Sequence, residues 1–230
     1  MRATLWHCFY SVEMTFSVPL ASGRDADVFA IDAGRVLRRY RGDIDVAAEA
    51  AVMTYLAEHG FPVPTVYHAA GADLVMQRVP GPTLLTALLT GEIDIPSAAG
   101  ILAELHRRLH RIPARASRDL RVLHLDLHPG NVLLGPAGPI LIDWRNSADG
   151  APDLDTAMTA LIIAQVAVGD QADLLVTAHA LLTAFLDAVD GQPLRDLRRA
   201  VAMRGADTNL THRERTALPQ AEQLVRGGRA

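Results

Sequence analysis

Hydrophobic and polar positions divide the chain into two unlike parts. From Thr15 the apolar residues come in short runs: FSVPL, DVFAID and RVLRRY read as strands, broken by ASGR and by a turn at Asp32–Gly34. Asp45 is the predicted N-cap of a helix over Val46–His59. Its apolar positions Val46, Ala50, Met53, Leu56 and Ala57 follow helical spacing, and Gly60 is its C-terminal stop. FPVPTVYHA then starts extended, because residues ahead of proline avoid the helical region. Ala72–Val79 is a further strand, and VPGP turns the chain. Beyond this turn the period changes. Helices are predicted over Pro82–Leu89, over Pro96–Leu109 (apolar at Ile101, Leu102, Leu105 and Leu109), over Asp153–Val168 and over Gln171–Val189. Thr211-His-Arg-Glu214 matches a capping box near the C-terminus. The pattern predicts an α+β chain: an N-terminal extension over 1–14, a small β-rich lobe with one main helix over 15–79, and a mostly helical lobe over 80–230.

Half of the 230 residues are hydrophobic, enough for a sizeable core. The net charge of −4 speaks against a nucleic-acid partner, and every basic residue is arginine, with no lysine in the chain. A single cysteine, Cys8, excludes an internal disulfide and suits a reducing cytoplasm. Apolar runs such as Ala157–Val168 are too short to cross a bilayer, and Gln165 interrupts that one. Neither a membrane nor a protein partner is therefore predicted. The opening MRATLWHCFYSVE lacks the pattern of a signal peptide, and its deletion is expected to leave folding and activity intact.

Candidate chemistry concentrates in VLHLDLHPGNVLLGPAGPILID, residues 122–143, read as two short strands around a polar cluster. On a strand, His124, Asp126 and His128 would share one side. Three readings follow. The cluster is a satisfied polar group of architectural use. Or the three residues are ligands of a catalytic metal such as zinc, with an open position to activate water; this leaves Asn131 idle and finds no second ligand cluster. Or the stretch performs phosphoryl transfer. Asp126 then orients an acceptor hydroxyl and takes its proton late, being too weak a base to remove it outright. Asn131 and Asp143 supply hard oxygens to Mg²⁺, which needs only a few protein ligands beside nucleotide phosphates. His124 and His128 become supports of the loop.

HLDLHPGN followed by LIDW resembles the catalytic and metal-binding segments of the aminoglycoside phosphotransferase family, part of the protein-kinase-like superfamily. The resemblance extends over about Ser17–Val168. It implies a bilobal protein-kinase-like fold, a nucleoside triphosphate (ATP or GTP) with Mg²⁺, and a small-molecule hydroxyl as acceptor. Glu49 matches the family's helix glutamate. LVMQRV, residues 74–79, resembles the last strand of the small lobe and the hinge that receives adenine, which implicates Met76, Gln77 and Val79. LAELHRRLHRIP resembles the helix ahead of the catalytic loop. Asp155 matches an aspartate that buttresses that loop, or is merely a helix N-terminal acid favoured by the dipole. Two departures stand out. The family's loop usually has Gly between its His and Asp, where Leu125 stands here. Its strand lysine is replaced by Arg38, a bulkier, forked cation; strand alternation turns Val36 and Arg38 into the cleft and Leu37 and Arg39 away. The loop ASGRDA holds one glycine, so Ser22 and Gly23 are the nearest equivalents of a phosphate-covering loop. The missing lysine and sparse glycine also motivate an alternative, a nucleotide-binding pseudokinase or scaffold.

Residues 143–190 hold eight Asp against a single Arg. If these acids line the cleft, they favour a cationic acceptor such as an aminoglycoside or basic-peptide antibiotic; otherwise they are caps and solvated faces.

Overall fold

A computed structural model describes residues 18–170 and 172–228, so the expected extension and its deletion lie outside the described residues. An antiparallel sheet opens the fold: β1 (Ala21–Ser22), β2 (Ala26–Ala30), β3 (Arg35–Tyr40), β4 (Val66–Ala70) and β5 (Asp73–Gln77), in spatial order β1-β2-β3-β5-β4. The pairing of β3 with β5 sets Val36 opposite Met76 and Arg38 opposite Leu74. FSVPL is not a strand over its described part. Pro19 has no N–H to give a ladder, and pairing begins only at Leu20, whose N–H meets Val28 O. The ASGR stretch, expected to be a break, supplies β1 instead.

Helix α1 (Ala47–Glu58) follows β3; its N-cap is Val46, one residue past the expected Asp45, whose carboxylate still accepts the N–H of Ala47 at 2.9 Å. Val46, Ala50, Met53 and Leu56 are buried as the spacing predicts, but Ala57 is exposed. Glu49 is buried among them. Gly81 carries the chain out of the sheet with φ +126°, and a Cβ there would overlap the Leu134 carbonyl oxygen. Only glycine fits this crossing.

The second part contains α2 (Leu84–Thr90), α3 (Ile95–Leu109), β6 (Arg121–Leu123), the hairpin β7 (Val132–Gly135) and β8 (Gly138–Leu141), then β9 (Ala148–Gly150), α4 (Pro152–Ala167), α5 (Ala172–Ala188), α6 (Leu197–Ala206) and α7 (His212–Gly227). Helix α4 is apolar on all sides and buries nearly every side chain, which makes it the axis of this part. Helices α5, α6 and α7 pack on it, and α3 packs on α5. Thr211 and Glu214 form the predicted capping box of α7. No helix among the described residues is long and apolar enough to cross a membrane.

Strand β6 stops at Leu123 and pairs with β9, so His124, Asp126 and His128 do not share a strand face. Leu125 reverses the chain with φ +62°. A left-handed Leu is strained, which gives a physical reason for glycine at this place in the family's loop. Leu125→Gly should relieve about 1–2 kcal/mol of backbone strain while deleting a buried side chain worth about 2–5 kcal/mol. Burial wins: a net loss of about 1–3 kcal/mol is expected in urea unfolding, and a more stable variant would show that strain dominates.

Candidate active site

The loop from His124 to Asn131 is held by its own histidines. The Ile142 carbonyl can only accept, so His124 donates to it from Nε2–H at 3.0 Å, while Nδ1 accepts the Asp126 N–H at 3.2 Å. His128 Nδ1 accepts the Gly130 N–H at 3.1 Å and caps the 3₁₀ turn Pro129–Asn131. Both rings are neutral in these roles. Burial pushes the pKa of His124 down and that of His128 down to about 4. The ring of His124 also meets Trp144 edge-on at 4.6 Å.

Asn131 donates its Nδ2–H to the Asp126 carbonyl at 2.9 Å and lies 3.4 Å from Asp126 Oδ2. Its Oδ1 is thereby the lone-pair end that a hard cation can use. Asp126 Oδ1 lies 3.6 Å from Arg204 Nη1. Burial raises the pKa of Asp126 to about 6; Arg204 pulls it down, and Asp143 and Asp207 add to the rise. Asp143, just past β8, has φ +68°, a left-handed conformation that aspartate adopts more readily than bulky residues.

Arg38 joins the two parts of the molecule. Its Nη2 meets Asp143 Oδ1 at 2.7 Å and its Nη1 meets Glu49 Oε1 at 3.1 Å, with the guanidinium over the Tyr40 ring. Glu49 also accepts the Tyr40 hydroxyl at 2.7 Å and the Trp144 N–H at 3.2 Å. Burial raises the pKa of Glu49 and Arg38 opposes that rise. Arg39 points away and pairs with Asp73, in agreement with the expected alternation. Leu37 also points away yet is buried.

Asp155 is no mere helix-end acid. Fully buried, it accepts the N–H of Leu125 at 2.7 Å and of His124 at 3.1 Å, and faces His110 Nε2 at 3.0 Å and His106 Nδ1 at 3.5 Å. These partners hold its pKa well below the carboxylate range against the opposing effect of burial. His106 Nε2 reaches the Thr159 hydroxyl, which donates to Leu127 O. The loop thus hangs from α3 and α4 by one polar network.

Of the nucleotide-side residues, Val36 and Met76 are buried on paired strands, and Gln77 and Val79 are half-buried at the sheet's exit. Ser22 ends β1, and the Gly23 N–H is taken by Ala26 O at 2.8 Å. The following turn is tied across the molecule: Arg24 pairs with Glu214 and donates to Asn209 O, while Asp25 meets Arg145 and Asn209.

Two of the alternative readings find no support. His124, Asp126 and His128 form no metal box, because both nitrogens of His124 are engaged and no strand aligns the three. The one group of three among the described residues whose ligand atoms lie within 4.8 Å of one another is His106, His110 and Asp155. Nor do the acids of 143–190 line one cleft: Asp170 pairs with Arg213, Asp190 with Arg107, Asp153 accepts the Gln192 N–H, and Asp155 is buried. Sequence reasoning missed His106, His110, Tyr40 and Arg204. His106 and His110, one helical turn apart, carried a faint signal; Arg204 carried none.

A family model for the phosphotransferase enzyme family matches residues 17–121 and 113–189. No curated protein matches the sequence. Among solved structures, the streptomycin–ATP–APH(2")-IIa ternary complex is 13% identical, with a TM-score of 0.57 over 90% of this chain and 92% of that one. A choline/ethanolamine kinase family protein from Mesorhizobium loti is 14% identical, with a TM-score of 0.57 over 92% and 89%. The amicoumacin kinase hAmiN in complex with AMP-PNP, Ca²⁺ and Ami is 14% identical, with a TM-score of 0.54 over 91% and 87%. The fold is the kinase-like one that the motifs implied, and the chain belongs to the phosphotransferase enzyme family.

Proposed function

We propose that the protein moves the γ-phosphoryl group of ATP, or GTP, to a hydroxyl of a small molecule. The observation that carries this reading is the triad Glu49–Arg38–Asp143, which joins a helix, a strand and the position after the loop hairpin. In this reading residues 15–79 form the nucleotide lobe and 80–230 the catalytic and acceptor lobe. Adenine lies along Met76, Gln77 and Val79 against Val36, and the turn after Ser22 and Gly23 covers the phosphates. Arg38 grips those phosphates in place of lysine, its fork steadied by two carboxylates. Asn131 Oδ1 and a carboxylate oxygen of Asp143 fit Mg²⁺, which when bound with the nucleotide offsets phosphate charge. Asp126 hydrogen-bonds the acceptor hydroxyl and takes its proton as transfer completes. Arg204, tethered to Gln165 Oε1 at 3.1 Å, keeps that carboxylate ionised and aimed. Amine-bearing acceptors are the first to try, because gentamicin, streptomycin and amicoumacin are named in the complexes of structurally similar proteins. Any antibiotic-resistance role rests on such an acceptor.

The test is ADP release with Mg·ATP or Mg·GTP over a panel of aminoglycosides, choline and other amino alcohols. Acceptor-dependent release is expected, falling about 10²–10⁴-fold in Asp126→Asn. Turnover should decline as pH drops through about 6, because the working form of Asp126 is the carboxylate. Arg204→Met should move that acid limb to higher pH, since a cation favouring the charged form is gone. Nucleotide binding without turnover on any acceptor would favour the pseudokinase.

A further inference from the structure

We propose that the pocket between the C-terminal end of α1 and the segment 111–121 binds a small polyanion bearing phosphate groups, outside the catalytic cleft. The pocket has a volume of about 650 Å³, within the range of small-molecule sites. Arg111, Arg115, Arg118 and Arg121 line it together with Tyr55 and His59, and no carboxylate does. None of these residues belongs to the site described above.

The charge pattern is the first argument. Several arginines elsewhere are neutralised: Arg39, Arg41, Arg107 and Arg145 each meet a carboxylate. Among the described residues, Arg111, Arg115 and Arg118 have no side-chain hydrogen bond or ion pair, and all three are exposed. Arg121 donates only to the carbonyls of Arg118 and Leu120, at 2.7 and 2.9 Å. In a chain of net charge −4, four guanidinium groups around one hollow are a local excess of the opposite sign. Their mutual repulsion is relieved by an anion that several can share, and the planar fork of arginine matches phosphate.

The second argument is that the segment is already shaped. Pro113 bridges to Arg121, and the Ala114 N–H meets Leu120 O at 3.0 Å, closing the segment on itself. The Tyr55 hydroxyl donates to Pro113 O at 2.9 Å and ties it to α1. The rings of Tyr55 and His59 stand 4.3 Å apart as one wall. A preformed site loses less on ordering than a free loop would. A single pocket, rather than a basic stripe, suits a compact ligand and not a nucleic acid. Its occupant would touch both the helix that carries Glu49 and the strand that leads into the catalytic loop.

The experiment is a calorimetric titration of the full chain with inorganic tripolyphosphate, at low and moderate salt. Binding that weakens with salt is expected. It should fall at least about tenfold in R115A/R118A, whose side chains are exposed and outside the catalytic machinery. R198A/R199A removes the same charge from the exposed face of α6 and should leave the affinity unchanged. The proposal is overturned if tripolyphosphate does not bind at millimolar concentration, or if R115A/R118A binds it as the native chain does. Equal losses in both double variants would overturn it too, as would a polyglutamate peptide binding where tripolyphosphate does not.

Discussion

Asp143→Ala should reduce acceptor-dependent phosphoryl transfer by at least about 10³-fold. Two functions meet on that carboxylate. It is the strongest oxygen donor proposed for Mg²⁺, and it is one of the two anions that orient the Arg38 guanidinium. Removing it leaves Arg38 with Glu49 alone and weakens the grip on the phosphates as well as on the metal. Calorimetry should therefore show Mg·AMP-PNP binding lost or much weakened. Asp143 is only partly buried, so the variant should remain folded, and its thermal unfolding can be checked in the same preparation. Undiminished transfer would sink the assignment of both Asp143 and Arg38.

The largest loss of stability is expected from Asp155→Ala. It strips acceptors from two buried backbone N–H groups and from His110, and leaves His106 facing an apolar void. Breaking a buried charged network in this way costs about 3–5 kcal/mol, or roughly 6–20 °C of Tm in a chain of this size. Asp155→Asn keeps one oxygen acceptor and should lose less. The acid side separates the contributions. The folded pKa of Asp155 is depressed, so its stabilisation is full above the ordinary carboxylate pKa and is lost as pH falls through the folded value. His124 and His128 are depressed as well, from an ordinary value of about 6.5. Below that pH the unfolded chain takes up their protons first, and stability declines, for His128 down to about pH 4. Urea midpoints against pH should show the histidine decline in native protein and variant alike. The further loss below about pH 4 should be smaller in Asp155→Ala. Identical curves throughout would show that Asp155 does not carry the network.

Much of the fold could be read from the residues because the relevant physics is local. A 3.6-residue apolar period, an Asp or Thr at a helix start and a glycine at its end involve neighbours a few positions apart. Hence α1, α3 and α4 lie within a residue or so of their expected limits, and the Thr211–Glu214 box forms as written. Of two failures, one has a local cause and the other a distant one. FSVPL has β-forming residues, but Pro19 offers no ladder donor. HLDLH alternates like a strand, yet Leu125 turns left-handed: Asp155, far along the chain, holds the N–H groups of His124 and Leu125, and the His124 ring takes the Asp126 N–H that follows.

The chemical inventory of Asp126, Asn131 and Asp143 was likewise legible, since a motif keeps its spacing whatever surrounds it. That inventory and the sequence of elements were determined along the chain itself. The company those groups keep was decided in three dimensions. Arg204 approaches Asp126 because α6 packs on α4. Asp155 engages His106 of α3 and His110 at its end through the packing of the helices, and Arg24 meets Glu214, 190 residues further along the chain. The physical reason is the range of the forces involved. Periodicity, caps and turns act over one or two turns of chain, whereas ion pairs and burial depend on which surfaces the completed core brings face to face.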